Sequence, residues 1–252
     1  MKATICIASG KGGTGKTSVT AGLACCLAAL DYKVVALDAD VGLRNLDLIL
    51  GLTERAVFDF TDVISGRASL ETALTPHPVI TNLSLLSAPL GSSGVPVDVP
   101  AMRALIAQLG ERFDFCIIDC PAGIGSGFRL AASVSDRAIM VCTPDYASLR
   151  DASLTRSELR RLGVLDIRLV LNRIRPQLIK RMSAVNIDDA IDKTGIRLLG
   201  IVPEDQNVMA CANNGELVFS KMRTPAARAY RNIAHRVLGE RIPIMKLPRK
   251  CV

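Results

Sequence analysis

The residues from Gly10 to Thr17 have the types and spacing needed to hold a phosphate group. They read G-K-G-G-T-G-K-T, which satisfies the pattern G-x-x-x-x-G-K-[ST]. Glycines let backbone N–H groups close around phosphate oxygens, and the start of a following helix adds partial positive charge. In this pattern Lys16 reaches the β- and γ-phosphates, and the Thr17 hydroxyl is a ligand of Mg²⁺. The loop therefore predicts a nucleoside triphosphate site, and Lys11 is a second lysine that the pattern does not require.

Carboxylates follow two strand-like runs elsewhere in the chain. Asp38 and Asp40 come directly after "VVAL", and Asp119 comes after "CII". A nucleotide hydrolase needs acids at the ends of neighbouring strands to hold its metal and to position water. An isolated Asp at a strand end is also a common helix cap. Because these acids occur together with the phosphate loop, the sequence predicts a hydrolase site.

Apolar runs alternate with helical patterns through the whole chain. The expected strands cover residues 3–9, 33–38, 83–88, 115–119, 137–143, 167–172 and 197–202, and the expected helices cover Lys16–Leu30, Val99–Gly110, Ala147–Leu162, Ile187–Lys193 and Pro225–Leu238. Most strands are apolar on both sides, which is typical of a parallel sheet covered on both faces. The sequence predicts an α/β fold with a doubly wound, mostly parallel sheet and helices on both faces. We expect one domain over residues 1–239 and a short basic tail over residues 240–252.

Composition argues against several other classes of protein. Hydrophobic residues make up 49% of the 252 residues, so a large aliphatic core is expected. No apolar run approaches the roughly 18 residues of a membrane-spanning helix, and the first apolar run is too short for a signal-peptide core. The eight cysteines include no C-x-x-C pair and there are only two histidines, so neither a zinc site nor a disulfide framework is expected. These features predict a cytoplasmic protein.

Several segments together resemble the deviant Walker-A ATPases, a family of P-loop proteins. The segments are Lys11 with "GGTGKT", then "DADVGLRNLDLILG", "DCPAGI" and "GIVPEDQNV". Three further segments, "GLRNLDLILG", "VFDFTDVISG" and "PEDQNVMACANNGE", are similar to the branch of the family that selects the cell-division site. The similarity runs from residue 2 to about Pro243. It implies an ATPase that uses ATP and Mg²⁺, forms an ATP-dependent homodimer and positions the division site.

The resemblance also implies roles for individual residues. Lys11 would cross the dimer interface to the partner's phosphates, and a cation supplied in trans in related enzymes is worth roughly 10³–10⁵ in rate. Asp40 would orient the attacking water, so that the implied catalytic set is Lys11, Lys16 and Asp40. The implied metal-binding set is Thr17, Asp38 and Asp119. The implied ATP-binding set is Gly10, Lys11, Gly12, Gly13, Thr14, Gly15, Lys16, Thr17, Ser18, Asn172, Pro203, Glu204 and Asp205, of which Asn172 and the loop 203–205 would hold adenine and ribose. Asn172 also fits a plain turn residue before "RIRP".

Two protein partners are implied, a division inhibitor and an activator of hydrolysis. The residues that resemble the family's partner-facing stretches are Arg44, Asn45, Ser148, Arg150 and Asp151. Ordinary polar residues at the start of a helix are the alternative interpretation of the last three.

The carboxyl-terminal end is basic, with nine Lys and Arg residues against Glu240 in residues 221–252. Members of the division-site branch end in a short amphipathic helix that lies on the membrane. Here Pro243 and Pro248 forbid a continuous helix, so peripheral contact with the inner face of the cell membrane is left open. One alternative is a ParA-type partition ATPase that binds DNA non-specifically through Arg228, Arg231 and His235. A regulator of another polar structure, such as the flagellum, is a third interpretation.

Overall fold

Eight strands form one sheet in the computed structural model, which describes residues 1–91, 96–181, 184–217 and 224–247. The spatial order of the strands is β3-β4-β2-β5-β1-β6-β7-β8. Every neighbouring pair is parallel except β3 and β4. The strands are β1 (Ala3–Ala8), β2 (Val34–Asp38), β3 (Thr75–Pro76), β4 (Leu83–Leu86), β5 (Phe115–Asp119), β6 (Arg137–Cys142), β7 (Asp166–Ile174) and β8 (Arg197–Pro203).

Helices connect the strands and cover both faces of the sheet. In the described part of the chain they are α1 (Lys16–Ala28), α2 (Leu46–Ile49), α3 (Phe60–Ile64), α4 (Leu70–Ala73), α5 (Val99–Gly110), α6 (Ser126–Ser133), α7 (Tyr146–Arg161), α8 (Pro176–Lys180), α9 (Ile187–Thr194), α10 (Gln206–Asn213) and α11 (Pro225–Val237). This architecture confirms the predicted doubly wound α/β fold.

Two hydrophobic clusters lie on opposite faces of the sheet, and the central strand contributes to both. In β1, Ile5 and Ile7 pack into one cluster with α1, α2 and α11, whereas Cys6 and Ala8 pack into the other with α5, α6, α7 and α9. Successive side chains of a strand point to opposite faces, so a strand covered on both sides must be apolar at every position. This explains the unbroken apolar runs in the sequence.

Helix α1, which follows the phosphate loop, packs very closely against α11. A Cβ atom built on Gly22 would lie 2.5 Å from Cδ2 of Tyr230, whose ring is almost fully buried. Only glycine allows the two helices to approach this closely. The contact connects the helix of the phosphate loop directly to the last helix of the chain.

Several helices begin at a polar N-cap residue of a type that the sequence alone can identify. Asp98, Asp145 and Thr224 accept hydrogen bonds from backbone N–H groups in the first turns of α5, α7 and α11. Side chains of these types satisfy amide groups that have no partner within the helix. The five predicted helices accordingly begin within one residue of the observed starts.

The structure also contains elements that the sequence analysis did not predict. They are the short helices α2, α3, α4, α6, α8 and α10 and the two-residue strand β3. The antiparallel pairing of β3 with β4 is the only departure from a parallel sheet.

The carboxyl-terminal segment lies against the domain. Met245 and Leu247 are partly buried, and Met245 packs against both hydrophobic clusters, so it lies at the border between the two faces of the sheet. Pro248, Arg249, Lys250 and Cys251 lie outside the described residues. In the ranges that the structure describes, no helix is both long enough and apolar enough to cross a bilayer.

Candidate functional site

The phosphate loop between β1 and α1 has a backbone that only glycine can adopt at two positions. Gly13 has φ +78° and Gly15 has φ +90°, both in the left-handed region. At Gly15 a Cβ atom would also lie 2.2 Å from Nδ2 of Asn172. The turn brings the start of α1, with its unpaired amide groups, to the mouth of the loop, which is the arrangement that binds phosphate oxygens.

The acids predicted from the sequence lie close to one another beside this loop. Asp38 and Asp119 end the neighbouring strands β2 and β5 and are direct partners in the parallel register. Both side chains are buried. Lys16 is close enough that its charge acts on both Asp40 and Asp119. The structure thus joins Lys16 and the three acids in one site.

Burial of these carboxyl groups opposes their ionisation. Burial, together with the nearby Asp38 carboxylate, raises the pKa of Asp119 to about 7. Burial likewise raises the pKa of Asp38 to about 6, although backbone N–H groups of Asp40 and Leu46 donate to it at 2.9 and 3.1 Å. The pKa of Asp40 is raised for the same reason. Two adjacent carboxylates in a protein interior favour protonation or a bound cation.

The atoms around Asp119 fit a magnesium ion in their chemistry. The hydroxyl of Thr17 hydrogen-bonds to Asp119, and Thr20 Oγ1 donates to Asp119 Oδ1 at 3.0 Å. Hydroxyl and carboxylate oxygens are the ligands Mg²⁺ prefers, and it commonly uses one or two carboxylates together with phosphate oxygens and water. Within the described ranges, no group of three or more His, Cys, Asp and Glu side chains could hold a metal by itself. The residues present therefore suit a metal that arrives with a nucleotide.

The second lysine of the loop forms an ion pair within its own chain. Lys11 Nζ lies 3.0 Å from Asp145 Oδ1, and the two side chains are 37% and 46% exposed. Asp145 follows β6 and also accepts hydrogen bonds from Thr143 Oγ1 and the N–H of Ser148. Burial acts to raise the pKa of Asp145, but these hydrogen bonds and Lys11 lower it overall. Lys11 therefore lies at the rim of the site, held by a carboxylate in partial contact with solvent.

A cleft of about 340 Å³ adjoins the loop on the side of β7 and β8, and its lining includes Asn172, Pro203, Glu204 and Asp205. Asn172 Nδ2 donates to the carbonyl of Thr14 at 2.8 Å, so its amide supports the phosphate loop in this structure. The carboxylate of Asp205 accepts from the N–H groups of Asn207 and Ala226 at 3.0 Å each. This carboxylate caps α10 and fixes the start of α11, a structural role the sequence analysis did not predict.

The residues predicted to face protein partners do not share one environment. Asn45 and Arg150 are exposed, as expected. The side chain of Arg44 is only 8% exposed, because it pairs with Asp47 at 2.8 Å. Ser148 is buried, and its Oγ accepts a hydrogen bond from the N–H of Thr143.

The remaining partner-facing candidate, Asp151, lies against the phosphate loop. A Cβ atom built on Gly10 would lie 2.4 Å from Cβ of Asp151. Asp151 therefore packs α7 directly against the first glycine of the phosphate loop.

Sequence reasoning missed two residues of the site, Thr20 and Asp145. Thr20 is fully buried and its Oγ1 also lies 3.0 Å from the carbonyl of Lys16. Its position one turn after Thr17 on α1 is the signal that could have identified it. Asp145 had a weaker signal, a carboxylate directly after the predicted strand that ends at residue 143.

Comparison with known proteins agrees with this geometry. Residues 5–218 match the family described as CobQ/CobB/MinD/ParA nucleotide binding domain. The septum site-determining protein MinD of Synechocystis is 40% identical over 246 residues, which cover 97% of this chain and 92% of that protein. The MinC:MinD cell division complex of Aquifex aeolicus contains a chain with a TM-score of 0.90 and 35% identity, covering 96% of this chain and 98% of that one. MinD of Pyrococcus horikoshii complexed with Mg-ADP gives a TM-score of 0.84 and 31% identity, covering 94% and 96%.

The chain belongs to the CobQ/CobB/MinD/ParA family of nucleotide-binding domains. It is an ATPase of the P-loop class, and within the family it is a MinD-like, division-site ATPase.

Proposed function

We propose that this ATPase binds ATP with Mg²⁺ and thereby changes from a monomer to a homodimer that is competent for hydrolysis. The observation that carries the proposal is the position of Lys11, which lies at the rim of the site while Lys16 lies inside it, 8% exposed. Lys16 serves the nucleotide of its own chain. Lys11 can leave Asp145 to contact a phosphate across an interface, because a pair this exposed contributes only about 0.2–1 kcal/mol.

The residues around the nucleotide divide the chemical work. Thr17, Asp38 and Asp119 would hold Mg²⁺, which when bound would stabilise the negative charge of the phosphate oxygens. Asp40 orients the attacking water, and its proximity to Lys16 keeps it beside the phosphates. The glycines of the loop, Thr14 and Ser18 contact phosphate, and the cleft lined by Asn172, Pro203 and Glu204 receives adenine and ribose. Asp205 contributes through its backbone, because its carboxylate is used within the protein.

The dimer is the form that recruits protein partners. One relative is described as a MinC:MinD complex, which supports a division inhibitor of the MinC type as a partner of this chain. An activator of hydrolysis of the MinE type is the second partner. Asn45 and Arg150, the exposed members of the predicted partner-facing set, are the side chains we assign to these contacts.

The protein works in the cytoplasm and touches the inner face of the cell membrane peripherally through its basic carboxyl-terminal end. Ile244 is 43% exposed and lies beside Lys246 and Arg241, which are also exposed. Apolar and basic side chains in one segment fit the interface of an anionic bilayer.

DNA binding by α11 is the weaker candidate for that end of the chain. Arg228 is exposed, but Arg231 has a buried Nη2 and His235 pairs with Glu240 at 2.8 Å. The face that the sequence suggested is therefore not an open row of cations.

The test is nucleotide-dependent dimerisation, measured by light scattering with ATP and ADP, together with ATP turnover. Lys11→Ala should still bind nucleotide but lose the ATP-dependent dimer and most of its turnover, by roughly 10³-fold or more if Lys11 acts as a cation in trans. Asp40→Ala should form the dimer and hydrolyse poorly. Asp145→Asn is the matched control: it keeps the cap of α7, releases Lys11, and should dimerise at least as well as the wild type.

Unchanged turnover in Lys11→Ala would show that the lysine does not act across an interface. Full activity in Asp40→Ala would remove Asp40 from the mechanism.

A further inference from the structure

The helices α2 and α10 end against each other at two glycines. Gly51 follows the last turn of α2 and has φ +66°, and Gly215 follows the last turn of α10 and has φ +63°. In each case the amide after the glycine donates back to a carbonyl of the helix at 2.8 Å. A helix end of this type needs a residue that tolerates the left-handed backbone, and that residue is usually glycine.

The contact between the two glycines leaves no room for a side chain on Gly51. A Cβ atom built there would lie 2.4 Å from the carbonyl oxygen of Gly215. A backbone carbonyl cannot swing aside as the end of a long side chain can, so a methyl group here would force one segment to move by about 1 Å. In the reverse direction there is room, because a Cβ atom on Gly215 would lie 3.8 Å from Cα of Gly51. The end of α2 is therefore positioned by the end of α10.

The start of α2 is connected to the acids of the nucleotide site. Asp38 Oδ2 accepts the N–H of Leu46, the first residue of α2, at 3.1 Å, and Asp38 Oδ1 accepts the N–H of Asp40 at 2.9 Å. Between them, Arg44 pairs with Asp47 of α2 at 2.8 Å. The start of this short helix lies only about 8 Å from its end, so a displacement of the end reaches the loop that carries Asp40.

Helix α10 lines the cleft that we assign to adenine and ribose. The lining of that cleft includes Val208, Met209 and Ala212. Val208 and Ala212 also line a cavity of about 20 Å³ together with Ile49 of α2. A cavity of this size holds about one water molecule, so α10 packs against α2 with little free space. A base that fixes α10 therefore acts on the position of α2.

We propose that Gly51 is a positioning residue that couples occupation of the base cleft to the loop carrying Asp40. A bound base fixes α10, and α10 fixes α2 through the contact of Gly51 with Gly215. Helix α2 in turn fixes the hydrogen bonds of Asp38 that hold Asp40. The site is then complete for hydrolysis with a whole nucleotide and not with phosphate groups alone. This inference rests on the roles of Asp40 and of the cleft proposed above, and it adds a connection between them.

The experiment compares a variant that overfills the contact with variants that do not. Gly51→Ala adds the methyl group that meets the carbonyl of Gly215. Gly66→Ala is the matched control, because Gly66 has φ +75° and no described atom lies within 4 Å of a Cβ built on it. Gly215→Ala is a second control, which strains the backbone at the contact without a clash. If Gly51→Ala does not fold, Ile49→Ala loosens α2 against α10 without overfilling, and its control is Leu48→Ala, at a side chain that is 48% exposed.

The first readout is hydrogen exchange in the segment from Asp40 to Leu46, measured with Mg-ADP and with Mg-pyrophosphate. Both ligands fill the phosphate loop, and only ADP fills the cleft. In the wild type we expect ADP to slow this exchange about tenfold more than pyrophosphate does. The difference should largely disappear in Gly51→Ala and become smaller in Ile49→Ala, and the three controls should keep it.

The second readout is ATP turnover. A misplacement of about 1 Å can cost about 10²-fold in rate, so kcat of Gly51→Ala should fall by roughly 10- to 100-fold. The KM for ATP should change little, because α2 is a single turn and yields more readily than α10. Gly66→Ala should turn over ATP at about the wild-type rate.

Equal slowing of exchange by ADP and pyrophosphate in the wild type would overturn the coupling, and so would a Gly51→Ala variant that keeps the difference. A loss of turnover that is equally large in Gly66→Ala, or one confined to KM, would also contradict it. The exchange readout uses neither hydrolysis nor the dimer. Full activity in Asp40→Ala would therefore contradict the proposed function and leave the exchange result unchanged, so the two failures are distinguishable.

Discussion

At the scale of single residues, the site contains buried carboxyl groups whose ionisation is unfavourable when no cation is bound. Asp38 and Asp119 end adjacent strands, are buried, and repel each other. Lys16, Thr17 and Thr20 offset part of this repulsion at Asp119. A site of this kind is less stable when empty than when it holds a cation, because a cation relieves the repulsion between the carboxylates.

Asp119→Asn should change how the stability of the metal-free protein depends on pH. The folded pKa of Asp119 is raised to about 7, whereas an unfolded aspartate titrates near about 4. The folded state therefore binds more protons between these values, so the contribution of Asp119 to stability is fully present below about pH 4 and is lost as pH rises through about 7. The asparagine variant lacks this loss and should gain on the order of 1–3 kcal/mol over the wild type at pH 8 relative to pH 4.

The measurement is urea unfolding in the presence of a chelator at several pH values. The stability of the Asp119→Asn variant should still fall somewhat as pH rises, because the pKa of Asp38 is also raised. Identical pH profiles for the two proteins would mean that Asp119 is ionised in the folded state at neutral pH.

Site residues that belong to a sequence motif can be predicted from the sequence, whereas residues that join the site through long-range contacts cannot. The phosphate loop and the acids were predicted because their spacing along the chain is itself the signal. Asp145 contacts Lys11 across 134 positions of sequence, and no local pattern encodes such a distance. The burial of the Arg44 side chain was not predicted either, because it depends on the ion pair with Asp47 three positions later.

At the scale of elements, the two long helices α1 and α11 pack in very close contact at Gly22 and Tyr230. Gly22 and Tyr230 touch at a point where any larger side chain would enter the tyrosine ring. Because α1 begins at the phosphate loop, this packing connects the loop directly to α11.

Gly22→Ala should destabilise the protein although alanine is the better helix former. Alanine in a helix gains about 1 kcal/mol over glycine. Its methyl group would lie 2.5 Å from Cδ2 of Tyr230, and overpacking of this kind costs about 1–3 kcal/mol or more. We expect a net loss of about 1–2 kcal/mol in the free energy of unfolding, measured by chemical denaturation.

A double-mutant cycle with Tyr230→Leu supplies the control. The smaller side chain leaves room for the methyl group, so the double variant should be at least about 1 kcal/mol more stable than the sum of the two single changes. Strict additivity would mean that the helices move apart without cost and that the close approach is not a constraint.

The long elements were predicted well and the short ones were not. Seven strands and five helices have periodic patterns of sufficient length, and their caps are of common types. Helix α6 has eight residues with Gly127 near its start and no side-chain cap, and α2 and α4 are single turns. Strand β3 has two residues, one of which is Pro76. Such elements exist because the surrounding fold holds them, so their own sequences carry little signal.

At the scale of the whole molecule, the phosphate loop and the tail segment, residues 241–247, lie at opposite ends of the sheet. The phosphate loop and the acids follow the carboxyl ends of β1, β2 and β5, whereas Arg236, which donates to the carbonyls of Ile242 and Pro243, lies near the amino ends of β6, β7 and β8. Strands of five to nine residues separate the two ends by roughly 20 Å or more. A dimer formed around nucleotide therefore leaves both tail segments outside the nucleotide site.

The wild-type chain should bind phosphatidylglycerol vesicles more strongly with ATP than with ADP. A dimer carries two tail segments, and linking two weak contacts raises overall affinity by about 10²–10⁴-fold where both can engage. Co-sedimentation with each nucleotide measures the ratio, and Lys11→Ala is the control that should abolish it. Equal binding with the two nucleotides would separate membrane contact from dimerisation.

The strand order has a consequence for how the chain is made. Strand β1, which leads into the phosphate loop, is completed only by partners that are synthesised much later, since Ala3 pairs with Phe115 and Ile5 pairs with Arg137. A ribosome releases the amino terminus first, so β1 emerges long before either neighbour exists, and pairings of this separation are slow to form. Strand β1 therefore reaches its final pairing only after residue 137 has been synthesised, and a chain truncated before that residue would have its nucleotide loop attached to an unfinished sheet.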